Sequence, residues 1–392
     1  MMDNLIATYR KLGRSEKALL FGQATSVIGD FMALPAFAIL AAQREPIVLQ
    51  LFFVCYFLPR CAQPFLGLLA DRFDARRVAL VGDAARAAIF IALFLYPDSY
   101  PSAPWLLAAF AASAFGALFE PARLKIMSAV AADFVSYSKI FNVVYSLAGV
   151  ASLAFALLVE NYARTEAVFV VNSLTFAISF GFLVFVSYRQ SPGTAAEPGG
   201  MGQWIEGFRL IGRHHVVLFS CGLVVLADFF TGALYESFPH KAEILNLGNA
   251  GTYLFYFLVC LGNTLGALCV RPGMWDTKNL GLLCSLGAGS TAIFVLSSSW
   301  VLLLLSCLCF FAMQILSIVL AEIAIQRNIP AEYQGRAFGI SESVPYLALS
   351  LGSALNGLLG SSSIVVLCMT SFLAFYLVAK SQSQRELCGA GA

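Results

Sequence analysis

The chain has 392 residues, of which 59% are hydrophobic and only 12% are charged. A water-soluble domain of this length needs a far more polar surface, so the surplus apolar side chains are expected to face lipid. The formal net charge of +2 carries little information, and no segment has the clustered basic residues typical of nucleic-acid-binding proteins.

Twelve segments are apolar over about 20 residues, the length that a helix needs to cross a bilayer. They predict an all-α integral membrane protein with twelve transmembrane helices. The segment before the first span is polar and basic, which favours a retained first helix over a cleaved signal peptide. The predicted spans are 17–42, 47–70, 78–96, 104–127, 139–160, 165–187, 215–237, 250–270, 280–298, 300–323, 337–358 and 363–380.

Lysine and arginine concentrate on one side of these spans. With both termini in the cytoplasm, nineteen of the 24 basic residues lie on the cytoplasmic side. Only Arg44, Arg164 and Lys241 then lie outside, while Arg60 and Arg86 fall within spans. The positive-inside rule therefore predicts a multi-pass protein of the plasma (cell inner) membrane with both termini in the cytoplasm.

Segment 188–214 separates the sixth and seventh predicted spans. Its Pro- and Gly-rich part, 191–200, is typical of a flexible linker. Apolar residues then recur at helical spacing from Met201 to Ile211, which predicts a short amphipathic helix on the cytoplasmic membrane surface. The expected domains are an N-terminal six-helix half at 1–187, this linker at 188–214, and a C-terminal six-helix half at 215–392.

The two halves show a weak internal repeat. Three residue types recur in the second half after 197 to 199 residues, which indicates a parallel six-plus-six repeat. Transporters with such repeats bind their substrate near the bilayer midplane, between the two repeats. The three pairs are Asp30 with Asp228, Gly67 with Gly266, and Phe141 with Phe338.

The joint between the second and third spans carries the most specific motif. It reads Gly67-Leu-Leu-Ala-Asp71-Arg72-Phe-Asp-Ala-Arg76-Arg77. This resembles the signature loop of the major facilitator superfamily, Gly-x-Leu-Ala-Asp-Arg-x-Gly-Arg-Arg/Lys. The resemblance implies the major facilitator fold and a loop that closes the cytoplasmic side while the outside is open. The expected cytoplasmic gate comprises Gly67, Asp71, Arg72, Arg76, Arg77, Asp83, Arg86 and Arg336.

The chain departs from that family in three places. Asp74 stands where the signature has its second glycine, and Ala75 where it has its first basic residue. The fourth predicted span also lacks the mid-helix arginine that many proton-driven drug antiporters of the superfamily carry. This last departure argues against a standard antiporter proton relay.

Other segments resemble narrower groups of the superfamily. Segments 119–123, 170–176 and 330–339 resemble the branch that contains enterobactin-type siderophore exporters and macrolide efflux pumps. The same segments, together with 26–30, also resemble bacterial lysophospholipid transporters. Segment 29–32 (Gly-Asp-Phe-Met) hints at ferroportin-like metal transport, although histidine and cysteine ligands at matching depth are not evident.

Ionised side chains inside a bilayer cost about 3 kcal/mol or more, so those within spans are functional candidates. Asp30 and Arg60 have similar predicted depths in neighbouring helices. We expect them to form a salt bridge that is either structural or opened by a proton or an anionic substrate. Asp228 has no evident basic partner, which makes it a candidate for proton coupling or a polar residue of a wet cavity. Glu342 either lines that cavity or caps its helix.

These features favour a secondary active transporter that exports a small amphipathic or siderophore-like molecule against proton entry, by alternating access. The alternatives are a lysophospholipid flippase without proton coupling and a ferroportin-like metal exporter. We expect no enzymatic activity, because no catalytic set of side chains appears at a common depth. We also expect no cofactor, metal site or ATP-binding loop. The expected partners are the substrate, which could be a lipid, and protons; the protein is expected to be a monomer.

Overall fold

The computed structural model describes residues 9–66, 73–96, 102–188, 201–269 and 277–389, and every regular element among them is helical. Within the described residues, each predicted span overlaps a helix. Ten helices of the described residues are long and apolar enough to cross a membrane. The shorter apolar helix Leu280–Leu296 and the more polar helix Ala331–Leu359 cover the two remaining predicted spans. The predicted all-α membrane fold is confirmed.

The helices gather into two compact units, Met1–Gly200 and Met201–Ala392. In the first unit, the helix α2 continues into a 3-10 turn at Leu58–Ala62. The helices of this unit are α1 (Arg14–Ala42), α2 (Pro46–Phe57), α3 (Ala75–Leu95), α4 (Ser102–Val130), α5 (Phe134–Tyr162) and α6 (Ala167–Phe185).

The helix α1 packs on α2, α5 and α6, while α3 packs on α4 and α6. Close approach of α1 and α6 depends on Gly29: a Cβ atom there would lie 2.0 Å from Asn172 Oδ1 and 2.2 Å from Thr175 Oγ1. This contact draws the middle of α1 against α6, and it places Asp30 beside the helix on which α3 also packs.

One side of the first unit is where α1, α3 and α5 begin and α4 and α6 end; we call it the proximal side. Side chains there accept hydrogen bonds from backbone N–H groups. Ser187 N donates to Ser15 Oγ at 3.0 Å, and Ala132 N donates to the Glu16 carboxylate at 3.1 Å. The chain segments between helices are thereby fixed to the start of α1.

The second unit contains an amphipathic helix and six longer helices. The helix α8 packs on α9, α11 and α12, α9 packs on α11, and α10 packs on α11 and α13. The helices are α7 (Met201–Arg213), α8 (His215–Ile244), α9 (Gly248–Leu268), α10 (Thr277–Leu296), α11 (Trp300–Asn328), α12 (Ala331–Leu359) and α13 (Ser361–Gly389).

The same helix pairings occur in both units. The first long helix packs on the fifth, the second on the fourth, and the third on both the fourth and the sixth. The helix α7, which falls in the predicted linker 188–214, packs on α8 and α12 of the second unit. The halves at 1–187 and 215–392 therefore remain a prediction that these pairings support.

Each unit also contains a cluster of aromatic rings, which we call an aromatic hub. Each hub is centred on a fully buried phenylalanine of the first long helix, Phe37 in α1 and Phe238 in α8. The surrounding rings come from other helices of the same unit, with centroids 4.7 to 6.4 Å from the central ring. They are Phe52, Tyr56, Phe90, Trp105 and Phe169 around Phe37, and Phe255, Tyr256, Phe294 and Phe311 around Phe238.

Candidate functional site

Charged side chains occur well inside the helices of the first unit. By the rise of ~1.5 Å per residue, Asp30 lies roughly 24 Å along α1, and Asp83 and Arg86 lie about 12 and 17 Å along α3. These depths are far from the helix ends, where charged side chains are inexpensive. The carboxylates are Asp30, Asp83 and Glu120, and the guanidinium groups are Arg60, Arg86 and Arg123.

Arg86 binds two of these carboxylates at once. Its Nη2 atom lies 2.6 Å from Asp83 Oδ1, one turn earlier on α3. Its Nη1 atom lies 3.4 Å from Asp30 Oδ2, on α1. The same guanidinium therefore links α1 to α3 through the longer of two ion pairs.

Side chains from two further helices hold this group in place. Ser179 Oγ of α6 donates to Asp83 Oδ2 at 2.7 Å. The Arg86 guanidinium lies 4.1 Å from the ring centroid of Phe176 and 4.7 Å from that of Phe119, so it sits between rings of α6 and α4. Cation–π contacts of this kind are stronger away from water. Arg86 and Asp83 are thus fixed by their surroundings.

Asp30 differs from its two partners in accessibility. The side chains of Asp83 and Arg86 are 0% and 5% exposed, whereas 35% of the Asp30 side chain is exposed. An exposed carboxylate at this depth would be costly against lipid, so we infer that its open side faces a polar recess rather than lipid. Asp30 is therefore the accessible member of the triad Asp30–Arg86–Asp83.

The structure adds a partner that the sequence-based expectation did not include. The sequence predicts Arg60 as the partner of Asp30, and in the structure Arg86 forms an ion pair with Asp30. Arg60 lies in the 3-10 turn after α2, 5.5 Å from the ring centroid of Tyr56. It remains close enough to act electrostatically on Asp30 and Glu120. Asp83 and Arg86, predicted as gate residues, belong to the same cluster as Asp30.

A second ion pair lies nearer the proximal side, on α4. Arg123 donates to Glu120 Oε2 from Nε at 2.9 Å and from Nη2 at 2.5 Å, across one helical turn. The Arg123 guanidinium also lies 4.6 Å from the ring centroid of Phe141 on α5. The Glu120 side chain is 41% exposed. By the argument applied to Asp30, we infer that the open side of Glu120 also faces away from lipid.

The described part of the signature motif begins at Phe73. Asp74 is the N-cap of α3, because its Oδ1 atom accepts a hydrogen bond from Arg77 N at 2.9 Å. This bond satisfies one of the unpaired N–H groups at the start of a helix. The residue that departs from the family pattern thus has a structural role. The predicted gate residues that lie outside the described residues are Gly67, Asp71 and Arg72.

Arg76 joins the start of α3 to the end of α6. Its Nε atom donates to the backbone oxygen of Leu183 at 3.0 Å, and its Nη2 atom donates to the backbone oxygen of Val184. The last carbonyl groups of a helix have no partners within that helix and carry a partial negative charge. A guanidinium is therefore well suited to this position, and it fixes α6 to α3 at the proximal side.

In the second unit, Asp228 of α8 has an amide partner. The side-chain amide of Gln314 on α11 donates to Asp228 Oδ1. Both residues are only 8% exposed. No pattern in the sequence indicates this partner, because Gln314 is 86 residues away in the chain. Asp228 is therefore buried beside a neutral hydrogen-bonding partner.

A second carboxylate of α8 is held in the same way. Glu236 lies eight residues, or about 12 Å, beyond Asp228. The Asn356 side-chain amide of α12 donates to Glu236 and, at 3.2 Å, to Ser237 Oγ. Amides of two neighbouring helices thus hold Asp228 and Glu236 of α8, whereas Arg86 holds Asp30 and Asp83 in the first unit.

The two remaining predicted site residues lie on α12. Glu342 is exposed, nearly three turns from the start of that helix. Arg336 lies one turn from the start, forms an ion pair with Glu206 of α7, and lies 5.4 Å from the ring centroid of Tyr333. The structure therefore connects Arg336 to the amphipathic helix. Among the described residues, no group of three or more His, Cys, Asp or Glu side chains could hold a metal ion.

Comparison with known proteins identifies the family. The sequence model of the Major Facilitator Superfamily matches residues 19–353. The chain belongs to the Major Facilitator Superfamily. It is similar to nucleoside transporter NupG, with a TM-score of 0.72 over 94% of this chain and 98% of that structure, at 12% identity. It is also similar to an inward-facing bacterial homologue of the human lysosomal transporter Spinster, with a TM-score of 0.67 over 93% and 97% of the chains, at 13% identity. At these identities the structures share the fold alone.

Sequence relatives span nearly the whole chain. A protein named "Putative bacilysin exporter BacE" from Bacillus amyloliquefaciens is 28% identical over 384 residues, which are 96% of this chain and 98% of the relative. The Bacillus subtilis protein of the same name is also 28% identical over 384 residues, with the same coverage. The transporter YfiS of Bacillus subtilis is 26% identical over 404 residues, covering 89% of this chain and 88% of YfiS. The BacE relatives are named as bacilysin exporters. That name is not one of the enterobactin-exporter and macrolide-efflux branch that segments of the sequence resemble.

Proposed function

We propose that this protein is a secondary active transporter that exports a small amphipathic molecule by alternating access, with inward proton movement as the driving force. The observation that carries the proposal is the triad Asp30–Arg86–Asp83, whose accessible carboxylate shares one arginine with a buried carboxylate. The exporter names of the BacE relatives, which match this chain over nearly their whole length, support the direction of transport. The basic-residue pattern supports placing both termini in the cytoplasm.

The triad offers a direct way to couple a proton to a helix contact. A proton bound to Asp30 removes its negative charge, and Asp83 is then the only carboxylate of the triad that attracts Arg86. The 3.4 Å contact between α1 and α3 then loses its charge attraction, while the 2.6 Å ion pair within α3 keeps it. Because Ser179 and two aromatic rings hold Asp83 and Arg86, the tie that weakens is the one from α1 to α3.

The carboxylate of the second unit is suited to bind a proton without losing its partner. An ionised Asp228 accepts a hydrogen bond from the Gln314 amide, as in this structure. A protonated Asp228 can donate to the carbonyl oxygen of the same amide, since an amide side chain carries both a donor and an acceptor. Neither protonation state leaves a buried polar group unpaired, which supports a proton-binding role for Asp228.

The test is transport by the purified full-length protein in liposomes, with and without an imposed pH gradient. The probes are bacilysin, a siderophore, a cationic dye and a fluorescent lysophospholipid. Gradient-dependent movement of one of the soluble compounds is the expected result. Movement of the lysophospholipid alone, at the same rate with and without the gradient, would instead establish the flippase alternative.

The first variant to compare is Asp30→Asn, which keeps the shape of the side chain and removes its charge. We expect gradient-driven transport to fall by a factor on the order of 5 to 150, the range of typical coupling energies. The matched control is Glu45→Gln, because Glu45 is an exposed carboxylate between α1 and α2 whose side chain does not cap α2. Equal transport by wild type and Asp30→Asn would contradict the proposed coupling.

A further inference from the structure

The amphipathic helix α7 has one face buried against the second unit. Leu210 and Ile211 belong to a core cluster with residues of α8, α11 and α12. A Cβ atom at Gly207 would lie 3.0 Å from the backbone oxygen of Arg336, so the two helices are in close contact. Together with the Glu206–Arg336 ion pair, these contacts fix how α7 is rotated about its own axis.

The opposite face of α7 is exposed and has a definite pattern. Ile205, Phe208, Arg209, Gly212 and Arg213 are all exposed, and their spacing places them on one side of a helix. Ile205 and Phe208 are 54% and 46% exposed. The face therefore combines two large apolar side chains with two guanidinium groups, and no acidic residue lies on it.

The chain connection fixes where this face must lie. The helix α7 ends at Arg213, and α8, which is long and apolar enough to cross a membrane, begins at His215. A single residue separates them, so the end of α7 lies where α8 enters the bilayer. An exposed apolar face at this level can bury its side chains only at the membrane surface.

We propose that this face of α7 binds the surface of a bilayer that contains anionic lipid. Ile205 and Phe208 insert among the lipids, while Arg209 and Arg213 contact negatively charged headgroups. Each basic residue near an anionic surface strengthens such binding, and salt weakens it. The pairing of apolar and cationic groups on one face is what selects an anionic bilayer over a neutral one.

The test is amide hydrogen exchange of the full-length protein in two kinds of nanodisc, one of phosphatidylcholine alone and one that also contains phosphatidylglycerol. The readout is the exchange rate of the peptide that covers Met201–Arg213. We expect exchange to be slower with phosphatidylglycerol, by a factor on the order of five for each arginine. The difference should shrink at high salt, because the contacts are exposed.

Variants distinguish the effect of the two arginine charges from any effect of the substitutions on the structure of α7. The double substitution Arg209→Gln with Arg213→Gln is expected to remove the difference between the two bilayers, whereas Arg209→Lys with Arg213→Lys retains it. The control Arg164→Gln removes an exposed arginine of the first unit and should retain the difference. Equal exchange of wild type in the two bilayers, or a difference that persists in the double glutamine variant, would overturn the proposal. The assay does not depend on transport, so its outcome is independent of the proposed function.

Discussion

Asp74 stands where the family signature has a glycine, and its side chain makes a contact that glycine cannot make. A glycine at this position provides backbone freedom and has no side chain. Asp74 instead accepts a hydrogen bond from Arg77 N and caps α3. The cap favours a helix that begins at Ala75, and Arg76, in its first turn, then donates to the end of α6. The position of one carboxylate thus supports the contact between two helices.

The N-cap of α3 leads to a prediction for a single residue. Asp74→Ala should lower the free energy of unfolding by about 1 kcal/mol, since it leaves a helix N–H group without its partner. Asp74→Asn should be nearly neutral, because its side-chain oxygen accepts the same bond. Unfolding of the purified protein in detergent, followed by tryptophan fluorescence, measures both. Equal stability of the alanine variant and wild type would argue against the cap.

Single residues also show what the sequence can and cannot predict about the site. Asp30 and Asp228 could be selected as candidates, because a carboxylate inside an apolar segment is costly and therefore rare. Their partners could not be selected in the same way. Position along a helix follows from counting residues, but the direction in which a side chain points depends on how helices pack. For that reason residue counting points to Arg60 as a partner for Asp30, but it does not point to Arg86 or to Gln314, the partner of Asp228.

Helices α8 and α12 show how glycine sets the distance between two elements. A Cβ atom at Gly232 would lie 2.0 Å from the backbone oxygen of Leu349, and one at Gly352 would lie 1.7 Å from that of Phe229. Two helices can approach this closely only where side chains are missing, as is common in membrane proteins. This approach brings Asn356 within reach of Glu236.

Substitution of these glycines tests the packing of the pair. Gly352→Ala should lower the free energy of unfolding by about 2 kcal/mol, because the backbone of α8 must move to admit the methyl group. Gly289→Ala on α10 is the control, since a Cβ atom there meets nothing within 4 Å. It should leave stability unchanged or raise it by up to ~1 kcal/mol. Comparable losses in the two variants would show that the close approach is not the cause.

The presence of each helix was easier to predict than its end. The predicted seventh and tenth spans end at 237 and 323, whereas α8 continues to Ile244 and α11 to Asn328. The extra turns contain polar residues such as Lys241, which donates to the backbone oxygens of Val295 and Ser297 at the end of α10. Hydropathy identifies the part of a helix that lies in lipid, but it carries no signal for turns that continue beyond it.

At the level of the whole molecule, the two units handle buried carboxylates differently. Asp30 and Asp83 share the charge of Arg86, whereas the neutral amides of Gln314 and Asn356 hold Asp228 and Glu236. Removal of a carboxylate beside a buried arginine leaves a charge poorly compensated, which is strongly destabilising. Removal of the charge beside an amide leaves only a hydrogen bond to be rearranged.

We therefore expect the same substitution to have unequal effects in the two units. Asp83→Asn should lower the free energy of unfolding by roughly 3 kcal/mol. Asp228→Asn should change it by no more than about 1 kcal/mol, while it removes the response of transport to a pH gradient. Urea unfolding of the two purified variants and a liposome assay of Asp228→Asn provide the comparison. A larger loss of stability in Asp228→Asn would contradict the assigned partners.

The two aromatic hubs bear on how the chain reaches its folded state. Every ring that other helices place around Phe37 precedes residue 170, and every ring that other helices place around Phe238 follows residue 250. Neither hub needs a residue from the other unit. Because domains fold in the order of their synthesis, the first hub can assemble in the membrane while the ribosome is still translating the second unit.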